Sequence, residues 1–100
     1  MGKRNKGKVP VNTKDYDDEQ LHDIVNDTLT YLQRADKPKN FRRIVDIRKQ
    51  YIYDLIKRYV ERNLLTAQQH VTLKLQMRSS DEDLYLACWC IKSVGDGQKK

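Results

Sequence analysis

Residues 40–65, NFRRIVDIRKQYIYDLIKRYVERNLL, constrain the fold more than any other part of the chain. At 100° per residue Phe41, Ile44, Val45, Tyr51, Ile52, Leu55, Ile56 and Tyr59 fall on one side, which predicts an amphipathic helix with a core-facing surface. Ile47, Tyr53 and Val60 widen the stripe on both flanks. A stripe that broad is satisfied in one of two ways: several helices grip the segment, or a flank is left over for a partner. The polar remainder holds seven Arg/Lys and three Asp/Glu. Arg42–Asp46, Asp46–Lys49, Asp54 with Lys57 or Arg58, and Lys57–Glu61 stand at spacings that form weak pairs along a solvated helix face.

One hundred residues with 38% apolar content make one domain with a modest core. The mean hydropathy is −0.88. No apolar run is long enough for a membrane span, and MGKRNKGKVP lacks the apolar stretch of a signal peptide, so no membrane partner is expected. Met1-Gly2 begins a myristoylation pattern that Lys6 leaves incomplete. Cys88 and Cys90, one residue apart in an apolar run, fit a reducing compartment better than a disulfide scaffold. The expected location is intracellular, cytoplasmic or nuclear.

The net charge of +6 is laid down in blocks. Residues 1–14 carry five basic residues and no acid; residues 15–34 carry six acids against Arg34; residues 35–63 carry nine basic residues and four acids. The acidic second block can therefore lie against the basic third one, leaving the unspent charge mainly in the N-terminal segment.

Residues 1–16, with no apolar periodicity, read as a flexible basic arm. Asp17 with Gln20 forms a capping-box pattern opening a helix over 18–34. The short Pro-punctuated linker 35–40, with Asn40 as a candidate cap, predicts an antiparallel hairpin with the long helix. Thr66 with Gln69 repeats the capping box and starts a third helix near Ala67. Residues 71–78, VTLKLQMR, also alternate with period two, the pattern of a half-buried strand. Helix is the preferred reading, because the chain offers no good partner strand beyond Val9-Pro10-Val11. Such a helix has two apolar sides and is expected to sit between neighbours. Ser79-Ser80 followed by Asp81-Glu82-Asp83 caps a final helix whose run 84–91 is apolar all round and therefore expected to be largely buried, with Gly95 as its stop. The fold expected is all-α: a compact bundle of about four helices over 17–95, preceded by a disordered basic arm and followed by a tail, 96–100.

Three kinds of chemistry can be weighed on these residues. Phosphate binding would use Lys3, Arg4, Lys6 and Lys8 of the arm with Arg42, Arg43, Lys49, Lys57 and Arg58 of the long helix, although Asp46, Asp54 and Glu61 interrupt that surface. Protein contact would use Ile47, Tyr53 and Val60 on the flanks of the long helix and Leu73 and Met77 on the third. Arg48, inside the apolar arc, is expected to snorkel, to pair with Asp23 or Asp27, or to face a partner. Metal binding is disfavoured, because helical geometry points Cys88 and Cys90 about 200° apart and no His or Cys pair has ligand spacing. His22 and His70 belong to no catalytic motif, and no phosphate loop is present. No cofactor, metal or catalytic residue is therefore assigned. The functional expectation is a non-catalytic protein-interaction module or accessory subunit with a protein partner. Nucleic-acid association through the phosphate backbone is the alternative.

Overall fold

The computed structural model describes residues 13–97. Four helices follow in order: α1 (Asp18–Leu32), α2 (Phe41–Glu61), α3 (Ala67–Met77) and α4 (Asp81–Gly97). Among the described residues there is no strand, so the period-two segment 71–78 lies almost wholly within α3.

Each boundary has a local cause. The N–H of Gln20 donates to Asp17 Oδ1 at 2.8 Å, and the N–H of Asp17 donates to Gln20 Oε1 at 2.8 Å, closing a capping box on α1. Thr66 and Gln69 do the same for α3, at 3.0 and 2.9 Å. The N–H of Asp83 donates to Ser80 Oγ at 3.2 Å, and Asp81, Glu82 and Asp83 occupy the first turn of α4. Asn40 stands at the start of α2, but its side chain makes no capping hydrogen bond. The end of α2 is a Schellman turn. Asn63 takes the left-handed conformation at φ 61°, and the N–H of Leu64 reaches back to the Tyr59 carbonyl at 2.9 Å.

α1 packs against both α4 and α2, while α3 lies on α4 with a smaller contact to α2. The core is built from Leu21, Val25 and Leu29 of α1, Val45, Ile52, Leu55, Ile56 and Tyr59 of α2, Leu73 and Met77 of α3, and Leu84, Ala87, Cys88 and Ile91 of α4. The acidic helix does lie against the basic one. Asp18 of α1 accepts from both Arg58 and Arg62 at the far end of α2.

Three sequence expectations change in the fold. α3 is covered on one of its two apolar sides rather than on both: Leu73 and Met77 are buried, while Val71 and Leu75 on its other side are 53% and 57% exposed. α4 is not buried all round, since Leu86 and Trp89 face outward. Gly95 is not a stop. It lies inside α4, where a Cβ would stand 2.7 Å from His22 Nε2 and 2.8 Å from Tyr59 Oη, so it is the residue that lets α4 approach α1 and α2. The ordered structure also begins before residue 17. Arg58 Nη2 donates to the Thr13 carbonyl at 3.0 Å, and the rings of Tyr16 and Tyr51 meet edge to face at 5.2 Å. Residues 13–16, expected in the arm, are thus fastened to α2.

Candidate functional site

Of the expected phosphate-binding residues, Lys3, Arg4, Lys6 and Lys8 lie outside the described residues. The five on α2 do not form one free basic strip. Arg58 is only 20% exposed, with its guanidinium 3.0 Å from Asp18, 3.0 Å from Asp54 and hydrogen-bonded to Thr13. Arg42 grips Asp81 of α4 through Nη2, at 2.9 and 2.8 Å to the two carboxylate oxygens. Both were candidates for phosphate and are instead committed to holding elements together. Arg43 and Lys57 are exposed and Lys49 is half-buried, and none of the three makes an ion pair among the described residues.

The expected protein-contact residues also divide. Ile47 and Tyr53 are exposed at 39% and 37%, and Val60 is half-buried against the core. Leu73 and Met77, each 1% exposed, belong to the core, and no partner can reach them in this fold. Choosing between the two apolar sides of α3 required knowing where α4 lies. Arg48 is half-exposed with its guanidinium 5.0 Å above the ring of Tyr31, a cation–π contact in place of a pair with Asp23 or Asp27.

The surface that sequence reasoning missed is on α4. Leu86 and Trp89 are 52% and 44% exposed. The Tyr85 and Trp89 rings meet edge to face at 6.4 Å, and Lys92 Nζ lies 5.3 Å over the indole. Beside them a groove of about 560 Å³ opens between the end of α1 and the start of α4, lined by Leu32, Gln33, Lys37, Asp81, Glu82, Tyr85 and Leu86. Gln33 Nε2 donates to the Tyr85 hydroxyl at 2.5 Å and fixes the ring on one wall. At the rim Asp81 is held by Arg42, whereas the Glu82 carboxylate is exposed and makes no ion pair among the described residues. The sequence carries no signal that singles out this face: the row Glu82, Leu86, Trp89 and Ser93 has polar ends, but so has the row Asp81, Tyr85, Cys88 and Lys92, in which Cys88 is buried.

A second cleft, of about 470 Å³, is lined by Asp18, Glu19, His22, Tyr59, Arg62, Leu64 and Gly95. It groups an imidazole, a phenol and carboxylates, but the His22 side chain is buried and both its nitrogens are near other groups of the fold. Nε2 lies 3.3 Å from the Lys92 carbonyl and 3.4 Å from Asp96, and Nδ1 is 3.5 Å from the Asn26 amide. Both ring nitrogens thus already have partners within the fold. Burial raises the Tyr59 hydroxyl above its ordinary value, and the nearby Asp18 carboxylate adds to this, so the phenol stays protonated. Burial likewise pushes the Cys88 thiol up to about 12, leaving it an inert core residue rather than a nucleophile. Among the described residues no group of three or more His, Cys, Asp and Glu could hold a metal ion, and no helix is long and apolar enough to cross a membrane.

No protein-family model, curated protein or solved structure matches this chain.

Proposed function

We propose that this protein is a small non-catalytic interaction module, an accessory subunit of a larger intracellular complex, which binds an amphipathic helix of a protein partner in the groove between α1 and α4. The observation that carries this reading is the outward-facing Leu86 and Trp89 beside an apolar groove. Each such side chain contributes about 1.5–3 kcal/mol when fully buried, and tryptophans at the edge of a pocket are frequent anchors of binding energy. A groove of about 560 Å³ has room for two or three side chains of one helix, the mode in which partners present residues at i, i+3 and i+4. The groove carries the Glu82 carboxylate and the Lys37 ammonium, which favour a partner helix with a basic and an acidic residue placed to meet them beside its apolar ones. Two free cysteines, one of them buried, suit a reducing cytoplasmic or nuclear setting.

Nucleic-acid association is the second reading. It would rest on the residues of the arm and on Arg43, Lys49 and Lys57, since Arg42 and Arg58 are held by carboxylates. Affinity purification of the tagged full-length protein, its Leu86→Asp variant and its Trp89→Ala variant, each with and without nuclease, separates the two. The expected result is a partner retained by the wild type after nuclease and lost from both variants, while circular dichroism shows all three folded. A partner retained by both variants would remove the groove from consideration, and one lost on nuclease treatment would favour the phosphate-binding reading.

A further inference from the structure

The outer face of α2 carries a charge order that is its own complement. Opposite the buried line of Phe41, Val45, Ile52, Leu55, Ile56 and Tyr59, and apart from Arg42, which Asp81 of α4 holds at the margin, and the half-buried Asp54, which Arg58 neutralises, the exposed residues are, in chain order, Arg43, Asp46, Ile47, Gln50, Tyr53, Lys57 and Glu61. Read by character this is positive, negative, apolar, polar, apolar, positive, negative. Read backwards, the same row places a negative group where the first had a positive one, and a positive group where it had a negative one. Parallel stacking of two such faces in register sets like charge on like; antiparallel stacking sets every charge on its opposite.

The angular positions agree with this. Arg43 and Glu61 are eighteen residues apart, five full turns, so they stand at the same angle on the helix; Asp46 and Lys57, eleven residues apart, differ by about 20°. A two-fold axis perpendicular to the helix axis and to the line joining two antiparallel helices keeps each edge of the face against the same edge of its mate. Arg43 then meets Glu61 of the second copy and Asp46 meets its Lys57, each pair occurring twice. The midpoints of the two pairs agree to within one residue, about 1.5 Å of helix rise, well inside the reach of these side chains. Tyr53 falls over Gln50 of the mate on one edge. Ile47 falls over the Asp54–Arg58 pair of the mate on the other, so the two exposed apolar residues of the face lie between the charge pairs.

The charges are available for this. Arg43, Asp46, Lys57 and Glu61 make no ion pair among the described residues, although Asp46–Lys49 and Lys57–Glu61 stand at spacings that permit one within the helix. Only Asp54 of this helix pairs with a base of the same helix, Arg58, at 3.0 Å.

We infer that α2 associates with α2 of a second copy of this chain, antiparallel and about a two-fold axis, through Arg43, Asp46, Ile47, Tyr53, Lys57 and Glu61. This surface is separate from the α1–α4 groove and leaves it open. One helix pair buries less than the roughly 1,200 Å² at which stable interfaces begin, so the dimer is weak, reversible and salt-sensitive. Sedimentation velocity of the full-length protein from about 10 µM to about 1 mM, at low and at high salt, tests it. The expected result is a monomer–dimer equilibrium that weakens as salt is added. Lys57→Asp sets acid against Asp46 at two places and is expected to weaken the dimer at least tenfold. The double variant Asp46→Lys with Lys57→Asp reverses both members of the pair and is expected to regain it, while Leu86→Asp leaves it unchanged. A monomer at every concentration would overturn the inference, as would a dimer indifferent to Lys57→Asp or one that the double variant fails to restore. The three substituted positions, Asp46, Lys57 and Leu86, are on the surface, and far-UV circular dichroism confirms that each variant is folded.

Discussion

Tyr31 sits where the end of α1 meets the start of α2. Its ring stacks on Phe41 at 5.2 Å and 13°, Arg48 lies 5.0 Å above it and Arg34 5.7 Å from its centroid, yet its hydroxyl is buried without a hydrogen-bond partner. The ring earns its place by packing and by cation–π attraction; the hydroxyl only carries a desolvation cost. Tyr31→Phe is therefore expected to raise stability by about 1 kcal/mol, seen as a higher midpoint in urea unfolding, and a lower midpoint would mean that the hydroxyl is satisfied after all. The same residue explains how Arg48 occupies an apolar arc. Its position was legible from periodicity, but its partner was not, because aromatic and acidic residues of α1 were equally within reach until the crossing of α1 and α2 set Tyr31 beneath it.

At the scale of elements, the approach of α4 to α1 and α2 turns on Gly95. An added methyl there would gain about 1 kcal/mol of helix propensity but would strike the buried His22 ring and the Tyr59 hydroxyl. Both side chains are almost fully buried, so one or both must shift to admit it. Gly95→Ala is expected to cost about 1–3 kcal/mol net in chemical denaturation, and that cost should shrink in a His22→Ala background, where the ring is gone. In sequence, a glycine near the end of a helical run has the same look whether it ends the helix or lies inside it. The neighbour that decides between the two is 73 positions away in the chain at His22. By contrast both capping boxes, at Asp17 and Thr66, were readable directly, since a capping hydrogen bond spans three residues and needs nothing from the rest of the fold.

For the molecule as a whole, Asp18 is the group that ties α1 to the far end of α2. The Arg62 guanidinium, and after burial's opposing effect the Arg58 guanidinium, hold its carboxyl below its ordinary value of 3.8. A carboxylate whose pKa is lower in the folded state than in the unfolded one contributes stability that is present above about pH 4 and is lost as pH falls through the folded value. Thermal melts from pH 6 to pH 2 should thus show a fall that begins near pH 4, and Asp18→Asn should flatten that part of the curve while lowering the plateau. The sequence by itself determined the all-α class, the helix starts at Asp17 and Thr66, the buried side of α2 and the meeting of an acidic helix with a basic one. Those features follow from interactions within a few residues, or from charge summed over a whole segment. Tertiary structure alone decided that Leu73 and Met77 go inward while Val71 and Leu75 stay out. It also decided that Leu86 and Trp89 face solvent from an all-apolar helix, and that Arg42 and Arg58 are taken up by Asp81, Asp18 and Asp54. A helix with apolar residues on every side has no preferred face of its own, and a surface arginine has no fixed partner of its own; which face is buried and which charge is met depend on the elements that pack beside them.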